Sequence, residues 1–342
     1  MPTRRAMLAQ VSAAAGAAWA MRAGVAVGAA GRTAVDFDVP RGACDCHVHV
    51  FGNPAQFPFA EKRVYTPPPA SVEQLLELQR DLHLDRVVVV QPSVYGADNA
   101  CTLDAVRRMG ARARGVAVID RTTSRKALEE MAGAGVRGVR LNLETNTAGR
   151  FDPADAKAVL DATAEQIRGL GWHVQIYTRT AVIAGLKDHL AQMPFPVVVD
   201  HFGRGNPGQG PGQADFVALL DLVKSGRVYV KISGAYRVSE RAPDFPDVTG
   251  LAQALVAANP DRIVWGSDWP HPNSDAGRGK PLSEISSPFP IDDGLLLNQL
   301  PKWAPDAAIR DKILVHNPAR LYGFEATESH VVPNHSIWLG IA

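Results

Sequence analysis

Two histidines spaced two residues apart give the chain its clearest chemical signal. They lie in the stretch Asp45-Cys46-His47-Val48-His49, inside a short apolar run over 42–51 that is typical of a β-strand. Because residues i and i+2 of a strand point to the same face, His47 and His49 project together. Two imidazoles on one face can hold a divalent metal ion or polarise a carbonyl oxygen. Two hydrogen-bonded histidines in a polar core would leave the same pattern, so the pair alone does not decide.

Further polar groups follow later apolar runs, at the positions where strands would end. Asp200-His201 and Asp268 come directly after two such runs, and the others are Gln91, Ser93, Tyr95, Arg140, Asn142, Tyr177, Lys231 and Ser233. In a parallel barrel the carboxyl ends of the strands share one mouth, where such enzymes place their chemistry. Three histidines and an aspartate at one mouth indicate an active site.

The elements that must position these groups alternate along the chain. Short β-branched runs predict strands at Ala43–Val50, Arg86–Gln91, Arg114–Ile119, Val136–Leu141, Trp172–Tyr177, Val197–Asp200, Val228–Ile232 and Arg262–Gly266. Amphipathic stretches predict helices at Ser71–Leu82, Asn99–Ala111, Ser124–Gly133, Pro153–Leu170, Thr180–Met193, Ala214–Ser225, Asp247–Ala258 and Pro305–Val315. This alternation predicts an α/β fold, a (β/α)8 TIM barrel that forms a single catalytic domain over 36–324. An open doubly wound sheet is the alternative, and it is disfavoured because no glycine-rich dinucleotide fingerprint follows the first strand.

Three segments stand outside this alternation. The glycine-rich stretch 201–212 lacks the Lys-Ser/Thr ending of a phosphate-binding loop and is predicted to be a flexible loop. The Gly/Pro/Ser-rich insertion 274–290 follows the last strand, where it could reshape the mouth as a lid. Residues 325–342 form a C-terminal tail without a clear hydrophobic period.

The balance of charges argues against several classes of partner. Among 342 residues, Lys+Arg 36 against Asp+Glu 35 leave a formal net charge of +1. Nucleic acids and acidic membranes select for a basic patch or stripe, and the sequence contains no such run. A small molecule is the expected partner, and the sequence does not indicate an oligomeric state. Three cysteines do not support a disulfide framework, and Cys44 and Cys46 are expected to be packing thiols.

The first 35 residues are typical of a leader rather than of the fold. Paired arginines in Thr3-Arg4-Arg5-Ala6-Met7-Leu8 precede an Ala-rich region that ends in small residues. This pattern predicts a twin-arginine export signal over 1–35 and a periplasmic location. A disordered tail and a membrane anchor are the alternatives. Gln10 and Arg22 leave no run of the roughly 20 apolar residues that a spanning helix needs, so no stable membrane anchor is expected.

Three motifs resemble those of the amidohydrolase superfamily, in the group called amidohydrolase-related family 2. They are Asp-Cys-His-Val-His at 45–49, Val-Asp-His-Phe-Gly-Arg at 199–204 and Trp-Gly-Ser-Asp-Trp-Pro-His-Pro-Asn at 265–273. The resemblance extends over 42–322 and is strongest to the lactonase branch, which includes 2-pyrone-4,6-dicarboxylate lactonase. It implies a TIM barrel that hydrolyses a lactone ring.

The resemblance also implies roles for individual residues. Asp268 would be the general base for water, and His47, His49 and His201 would donate hydrogen bonds to the carbonyl oxygen as it gains charge. The apolar neighbours Trp265 and Trp269 are expected to raise the pKa of Asp268.

A second set of residues is expected to bind the substrate. Arg140 and Arg237 would recognise a carboxylate, although Arg237 could equally be a solvated surface arginine. Ring contacts are expected from Tyr65, Ser93, Tyr177 and Asn273, with Tyr95 and Asn146 completing the set. His271 is expected to shape its loop.

The chain departs from the metal-dependent members of the superfamily. These usually carry a histidine at the end of strand five and often a lysine or glutamate at strand four, where this chain has Tyr177 and Arg140. His173 lies at the opposite end of strand five. An arginine beside the site opposes a dication, so no metal cofactor is favoured. The alternative is Zn²⁺ or another divalent metal held by His47, His49, His201 and Asp268.

Two other departures concern the substrate. The pyrone lactonase carries a second arginine where this chain has Asn146, and a histidine where it has Tyr95. Losing one bidentate clamp favours a small acidic lactone other than a dianionic ring. A lactone isomerase acting on a sugar-acid lactone, a zinc-dependent amidohydrolase or decarboxylase, and a non-catalytic periplasmic binding protein remain as alternatives.

Overall fold

The protein is described by a computed structural model that covers residues 32–144 and 152–325. Most of the predicted leader therefore lies outside the described residues, as do Asn146 and all but the first residue of the predicted tail. Among the described residues, no helix combines the length and the apolar character that crossing a membrane requires.

Parallel strands form one sheet in chain order, which confirms the predicted barrel. Within the described ranges the strands are β1 Cys44–Val48, β2 Arg86–Val90, β3 Ala113–Ala117, β4 Val136–Asn142, β5 His173–Tyr177, β6 Val197–Val199, β7 Val228–Ser233 and β8 Ile263–Gly266. The sheet closes where Val48 pairs with Trp269 just beyond β8. Two backbone hydrogen bonds seal this seam, from Asp268 N to His47 O at 2.9 Å and from His49 N to Trp269 O at 2.8 Å.

Helices surround the strands in the predicted order. They are α1 Val72–Asp81, α2 Ala100–Met109, α3 Arg125–Gly133, α4 Pro153–Gln166, α5 Thr180–Gly185, α6 Lys187–Ala191, α7 Ala214–Lys224, α8 Thr249–Ala258, α9 Asp293–Leu297, α10 Leu300–Trp303, α11 Ala307–Asp311 and α12 Asn317–Tyr322. The single helix predicted over 180–193 is divided into two helices. Leu186 is both the residue that caps the end of α5 and the residue that caps the start of α6. The last predicted helix is also longer and irregular, since a π-helical turn over Lys312–His316 joins α11 to α12.

Local sequence explains where the helices begin and which face they bury. At the start of α1, Ser71 and Gln74 form a reciprocal capping box that satisfies backbone N–H groups left without helical partners. Leu75 and Leu78 then lie on one face and are fully buried. In β2, alternate valines belong to two separate apolar clusters, with Val87 and Val89 in the larger one. The strand is therefore buried on both faces, as its continuous apolar run predicts.

The two glycine-rich segments differ from expectation. The predicted flexible loop over 201–212 begins with a buried turn, because His201, Phe202 and Gly203 are almost wholly inaccessible to solvent. The insertion 274–290 packs as one wall of the mouth: Ser286 N donates to Thr66 O at 2.8 Å, and Thr66 Oγ1 donates to Leu282 O at 2.6 Å.

The cysteines agree with their expected role. All three are free and buried, and Cys44 and Cys46 belong to the smaller apolar cluster together with Tyr322 and Phe324.

Candidate active site

The seam between β1 and the end of β8 fixes two predicted catalytic groups side by side. The Asp45 carboxylate bridges the seam, since Oδ1 accepts the backbone N–H groups of His47 and Ser267, each at 3.0 Å. A side chain at Gly266 would lie 2.8 Å from His47 Cβ and 2.9 Å from His47 N, so only glycine permits this approach. His47 and Asp268 are therefore held together although they are far apart in the sequence.

All three predicted histidines face the carboxylate of Asp268. Its Oδ1 lies 3.6 Å from Nε2 of His49 and 3.7 Å from Nε2 of His47. Its Oδ2 lies 3.8 Å from Nε2 of His201. Asp268 is wholly buried and its backbone is left-handed, with φ of 64°. A strained backbone at a convergence of titratable groups is typical of a functional site.

The acidity of Asp268 is opposite to the sequence-based expectation. Burial is the largest single influence on the pKa of Asp268 and acts to raise it, but the Arg237 guanidinium and the three neighbouring histidines together outweigh burial and hold this pKa well below its usual value. Oδ2 accepts hydrogen bonds from Arg237 Nε and, at 2.7 Å, from the Tyr236 hydroxyl. The prediction of a raised pKa was wrong because it counted the apolar neighbours and not this ion pair. Arg237 is thus a buried partner of Asp268 rather than a solvated surface residue.

The surroundings of each histidine set its state of protonation. His49 Nδ1 lies 2.8 Å from the Val90 carbonyl oxygen, which can only accept, so Nδ1 carries the proton. Burial lowers the pKa of His49, and in the neutral ring Nε2 is then an acceptor that faces Asp268. The expected hydrogen bond from His49 to the carbonyl oxygen therefore requires that His49 first take up a proton.

His201 differs because its neighbour is a hydroxyl. Its Nδ1 lies 2.9 Å from Ser233 Oγ, which can donate or accept. Burial lowers the pKa of His201 to about 3, so the ring is neutral at physiological pH. When Ser233 donates to Nδ1, the proton of the neutral ring lies on Nε2, the nitrogen that faces Asp268.

A buried polar layer beneath these groups was not part of the predicted site. Asp200 Oδ2 accepts from Gln175 Nε2 at 3.0 Å and from Arg140 Nε at 3.2 Å. Its Oδ1 lies 3.3 Å from His47 Nδ1 and 3.6 Å from Lys231 Nζ. Lys231 is fully buried and donates to Gln175 Oε1 at 2.7 Å. This layer orients His47 from its Nδ1 side.

The sequence held part of the signal for that layer. Asp200 directly follows β6, where its position marks it, and Lys231 lies two residues before the end of β7, whereas Gln175 lies in the middle of β5. Nothing in its local pattern distinguishes Gln175 from a core residue.

Two adjacent cavities, which share lining residues, collect most of the predicted substrate-binding residues. The smaller, of about 30 Å³, is lined by His49, Tyr65, Pro92, Ser93, Arg140, Asn142, Tyr177, Arg237, Pro272 and Ser274. The larger, of about 780 Å³, shares Tyr177, Arg237 and Ser274 with it and also reaches Asn273. Tyr95 lines neither cavity, and its hydroxyl accepts the Gly52 N–H at 3.0 Å. Asn146 lies outside the described residues.

Basic side chains outnumber acidic ones in the wall of the larger cavity, although Arg237 and Lys280 are paired with Asp268 and Glu284, which lie outside that wall. Its charged lining comprises the basic side chains Arg63, Arg179, Arg204, Arg237, Arg278 and Lys280 against the acidic Glu144 and Asp275. The sequence-based set contained Arg237 but neither Arg179 nor Arg204. Arg204 had a signal in the Asp-His-Phe-Gly-Arg motif, whereas Arg179 had none.

The histidines and aspartates also fit a metal ion by their chemistry. Within the described ranges, the ligand atoms of His47, His49 and Asp268 lie within 4.8 Å of one another, and so do those of His47, Asp200 and His201. His49 shows the arrangement common to metal-binding histidines, with one nitrogen on a backbone carbonyl and the other pointing into the site. Arg237 and Tyr236 meanwhile occupy Oδ2 of Asp268.

Comparison with known proteins identifies a matching family model and several proteins that are similar to this chain. The family model described as Amidohydrolase matches residues 44–324. The chain is 39% identical over 294 residues to a 4-sulfomuconolactone hydrolase of Rhizobium radiobacter, covering 84% of this chain and 92% of that protein. It is 40% identical over 295 residues to a 2-pyrone-4,6-dicarboxylate hydrolase of Comamonas testosteroni, with the same coverage of 84% and 92%. It is 32% identical over 288 residues to a D-galactarolactone isomerase of Agrobacterium fabrum, covering 83% and 91%.

Proposed function

The chain belongs to the amidohydrolase family, and we propose that it is an enzyme that opens the ring of a small acidic lactone by hydrolysis. One observation carries the proposal. The Asp268 carboxylate lies 3.6 to 3.8 Å from Nε2 of three histidines, and two of its neighbours, His49 and Arg237, line the smaller cavity. The addition of water to an ester carbonyl requires a base that takes a proton from water and donors that stabilise the oxyanion. A carboxylate next to imidazoles can supply both.

Asp268 both takes up and returns the proton that is transferred during the reaction. Water loses one proton to Asp268 as its oxygen bonds to the lactone carbonyl carbon, and the hydrogen that remains on that oxygen donates a hydrogen bond to His49 Nε2. His201 donates from Nε2 to the carbonyl oxygen, which becomes an oxyanion, and His47 does the same in the tautomer whose Nδ1 accepts from Lys231 Nζ at 3.4 Å. When the ring C–O bond breaks, Asp268 returns its proton to the leaving oxygen. The product is a ring-opened acid that releases one proton to solvent near neutral pH.

The substrate itself can prepare Asp268 for this role. In the absence of substrate, Arg237 holds the pKa of Asp268 well below its usual value, which makes the carboxylate a weak base. Arg237 also lines both cavities, so a substrate anion can compete with Asp268 for its guanidinium. Loosening this pair leaves burial as the dominant influence, which raises the pKa of Asp268 and makes it a better base.

We favour a reaction that needs no metal, because Arg237 and Tyr236 already satisfy one oxygen of Asp268. If a divalent ion is bound, His47, His49 and Asp268 would hold it, and it would supply Lewis-acid polarisation of the carbonyl. The contribution of the chain itself is the same in both cases: it orients the ring, excludes water and moves a proton at Asp268.

A lactone isomerase is the second candidate, and the similarity to the D-galactarolactone isomerase favours it. The same Asp268 could take a proton from a substrate hydroxyl instead of from water. A zinc-dependent decarboxylase is less favoured because β5 ends in Tyr177. A non-catalytic binding protein would not require a buried carboxylate beside three histidines.

Proton release distinguishes hydrolysis from isomerisation. The purified protein is supplied with 2-pyrone-4,6-dicarboxylate, 4-sulfomuconolactone and D-galactarolactone in a pH-stat, and the products are identified by NMR. Hydrolysis predicts one proton released per ring consumed, together with loss of the lactone carbonyl. Consumption without proton release would support the isomerase. No reaction with any lactone would overturn both enzymatic candidates.

We also propose export of the protein to the periplasm, supported by the paired arginines Arg4 and Arg5 and the Ala-rich segment that follows. Cell fractionation of the wild type and of the Arg4→Lys, Arg5→Lys double variant tests this. The wild type should be periplasmic and the variant cytoplasmic. Equal recovery of both in the periplasm would overturn the proposed route.

A further inference from the structure

We propose that Lys231 is a positioning residue that selects the tautomer of His47, the one in which Nδ1 accepts a hydrogen bond from the lysine and Nε2 carries the proton. The inference rests on the proposed lactonase function, because only this tautomer lets a neutral His47 donate to the carbonyl oxygen. Lys231 is fully buried and lines neither cavity, so it acts through His47 and not on the substrate.

Packing alone does not explain a lysine inside the barrel. His47 on β1, Gln175 on β5 and Lys231 on β7 come from alternate strands, as the members of one barrel layer do. Such layers consist mostly of bulky branched apolar side chains. Burying a charged group costs free energy that an apolar side chain of similar volume would not. The reason for Lys231 must therefore lie in what its ammonium group contacts.

The ammonium group of Lys231 has three polar neighbours. It donates to Gln175 Oε1 at 2.7 Å, and it lies 3.6 Å from Asp200 Oδ1 and 3.4 Å from His47 Nδ1. An ammonium group has three hydrogens and no lone pair, so it can only donate to Nδ1. Burial, assisted by Lys231, lowers the pKa of His47 well below its usual value, and the ring is neutral. A neutral imidazole that accepts at Nδ1 carries its proton on Nε2.

Asp200 competes for the same nitrogen and would select the opposite tautomer. Its Oδ1 lies 3.3 Å from His47 Nδ1, where a carboxylate oxygen can only accept. Among the described residues, however, this oxygen receives no hydrogen bond, whereas the contact from Lys231 to Nδ1 is a hydrogen bond, although a long one. The orientation of the ring thus favours Lys231 as the partner of Nδ1.

The charges on the two sides of the ring favour the same tautomer. The layer on the Nδ1 side holds the cations of Lys231 and Arg140 against the single carboxylate of Asp200, which leaves one excess positive charge. On the other side, Nε2 lies 3.7 Å from Oδ1 of Asp268, which has no hydrogen-bond partner within the described ranges. A lone pair is stabilised beside a positive charge and an N–H group beside a carboxylate oxygen, so electrostatics also place the proton on Nε2.

The three histidines then divide the work of the site. Lys231 supplies a hydrogen to Nδ1 of His47, as Ser233 can do for His201, and both rings donate from Nε2. His49 is the opposite case, because its Nδ1 proton is bonded to a backbone carbonyl and its Nε2 accepts. Two donors are thus available for the oxyanion and one acceptor for the attacking water.

Nitrogen NMR of the purified protein reads the tautomer without any substrate. The wild type, Lys231→Met and the double variant Lys231→Met, Asp200→Asn are compared at pH 8, above the ordinary histidine pKa of about 6.5. The His47 signals are identified by their absence from His47→Gln. In the wild type the proton should lie on Nε2. In Lys231→Met the proton should move to Nδ1, because Asp200 is the only partner that remains there.

The double variant supplies a donor to Nδ1 by another route. Arg140 Nε and Gln175 Nε2 both donate to Oδ2 of Asp200. In Asp200→Asn the amide should therefore keep its oxygen at that position and direct its NH₂ group towards His47 Nδ1. His47 should again carry its proton on Nε2, although the ammonium group is absent.

Activity should follow the tautomer through this series. Loss of one oxyanion donor predicts that Lys231→Met lowers kcat for the preferred lactone about 10²- to 10³-fold with KM within about 3-fold, and that the double variant recovers at least about 10-fold in kcat. The control is Lys126→Met, which removes the same charge from a side chain that is 86% exposed, and it should match the wild type. Denaturant unfolding establishes that each protein is folded at the assay temperature.

The NMR result keeps this inference separate from the proposed function. A proton on Nδ1 in the wild type, as a metal ion on Nε2 would impose, would overturn the role of Lys231, and this holds even if Lys231→Met does not fold. A kcat that falls while the proton stays on Nε2 would overturn it as well, because Lys231 would then be only structural. If the wild type hydrolyses no lactone, a proton that moves to Nδ1 in Lys231→Met and returns in the double variant still supports the positioning role, and only the proposed function fails.

Discussion

Replacing Arg237 with methionine should move the acid limb of the activity profile to higher pH. Arg237 is the strongest of the charged partners that lower the pKa of Asp268, and burial opposes it. Without the guanidinium, burial has more weight and the pKa of Asp268 rises. Because the general base must be ionised, kcat/KM in the variant should begin to fall at a higher pH than in the wild type.

The same substitution should destabilise the fold at neutral pH. Asp268 is wholly buried and the Arg237 side chain is only 13% exposed. Removing one partner of a buried ion pair typically costs about 3–5 kcal/mol, and the hydrogen bond that remains from Tyr236 favours the lower end of this range. For a chain of this size that corresponds to a Tm lower by roughly 4–8 °C.

The sign of the pH dependence follows from the lowered pKa of Asp268. Such a group stabilises the fold above its unfolded pKa, and the stabilisation is lost as pH falls through the lower folded value. The free energy of unfolding of Arg237→Met should therefore lie furthest below that of the wild type at pH 7. The gap between the two proteins should shrink as the pH falls.

Two assays check this prediction. One follows kcat/KM of the preferred lactone between pH 4 and pH 9, and the other follows denaturant unfolding over the same range. Arg168→Met is the matched control, since its side chain is 74% exposed, and both of its profiles should overlay the wild type. An acid limb that stays in place in Arg237→Met would refute the reasoning, because it would mean that Asp268 is not the base or that Arg237 does not control it.

Three further outcomes are expected. Asp268→Asn should lower kcat by about 10²–10⁴-fold with little change in KM, as loss of a general base does, and steady-state rates near the wild type would exclude Asp268 from that role. Activity should survive exhaustive chelation, checked by metal analysis of the same sample, whereas a loss that zinc restores would identify His47, His49 and Asp268 as ligands. His173→Phe should gain stability relative to the wild type on acidification. Burial, assisted by Lys231, lowers the pKa of His173 to about 3, so the wild type must keep this ring neutral in the fold while the unfolded chain protonates it below about 6.5. The relative gain between pH 7.5 and pH 4.5 is about 3 kcal/mol by denaturant unfolding, and parallel pH profiles would contradict it. His83→Asn removes an exposed histidine of left-handed backbone as the control and should follow the wild type.

The sequence by itself determined the architecture and the identity of the central groups. Apolar runs such as Val87–Val90 alternate with capped amphipathic segments, and this local pattern suffices because strand and helix periods are properties of neighbouring residues. Parallel barrels place their chemistry at the carboxyl ends of the strands, and this predicted that His47, His49, His201 and Asp268 lie together. The structure places their side chains together. Predicting the strands and helices uses patterns among neighbouring residues. Predicting the site uses the carboxyl end of each strand, a position that recurs in every strand–helix unit of the barrel.

Helix ends and the turn after β6 were predicted less well. The break at Leu186 and the buried turn over His201–Arg204 depend on what packs against them, such as Leu219 against Gly203. Local composition at 201–212 indicated only that glycine is frequent there. A glycine-rich stretch can be mobile or tightly packed, and the neighbouring elements decide which.

Only the tertiary structure decided the electrostatics of the site. The pKa of Asp268 is the difference between a burial effect and its attraction to Arg237, which is 31 residues away in the chain. Whether an arginine binds substrate or neutralises a buried carboxylate depends likewise on distances that no local pattern encodes. Sequence could name Arg140 and Arg237, but the fold paired them with Asp200 and Asp268 and left Arg204 beside Tyr177. Coulomb energy falls with distance in space, so its balance is set when the chain closes into a barrel.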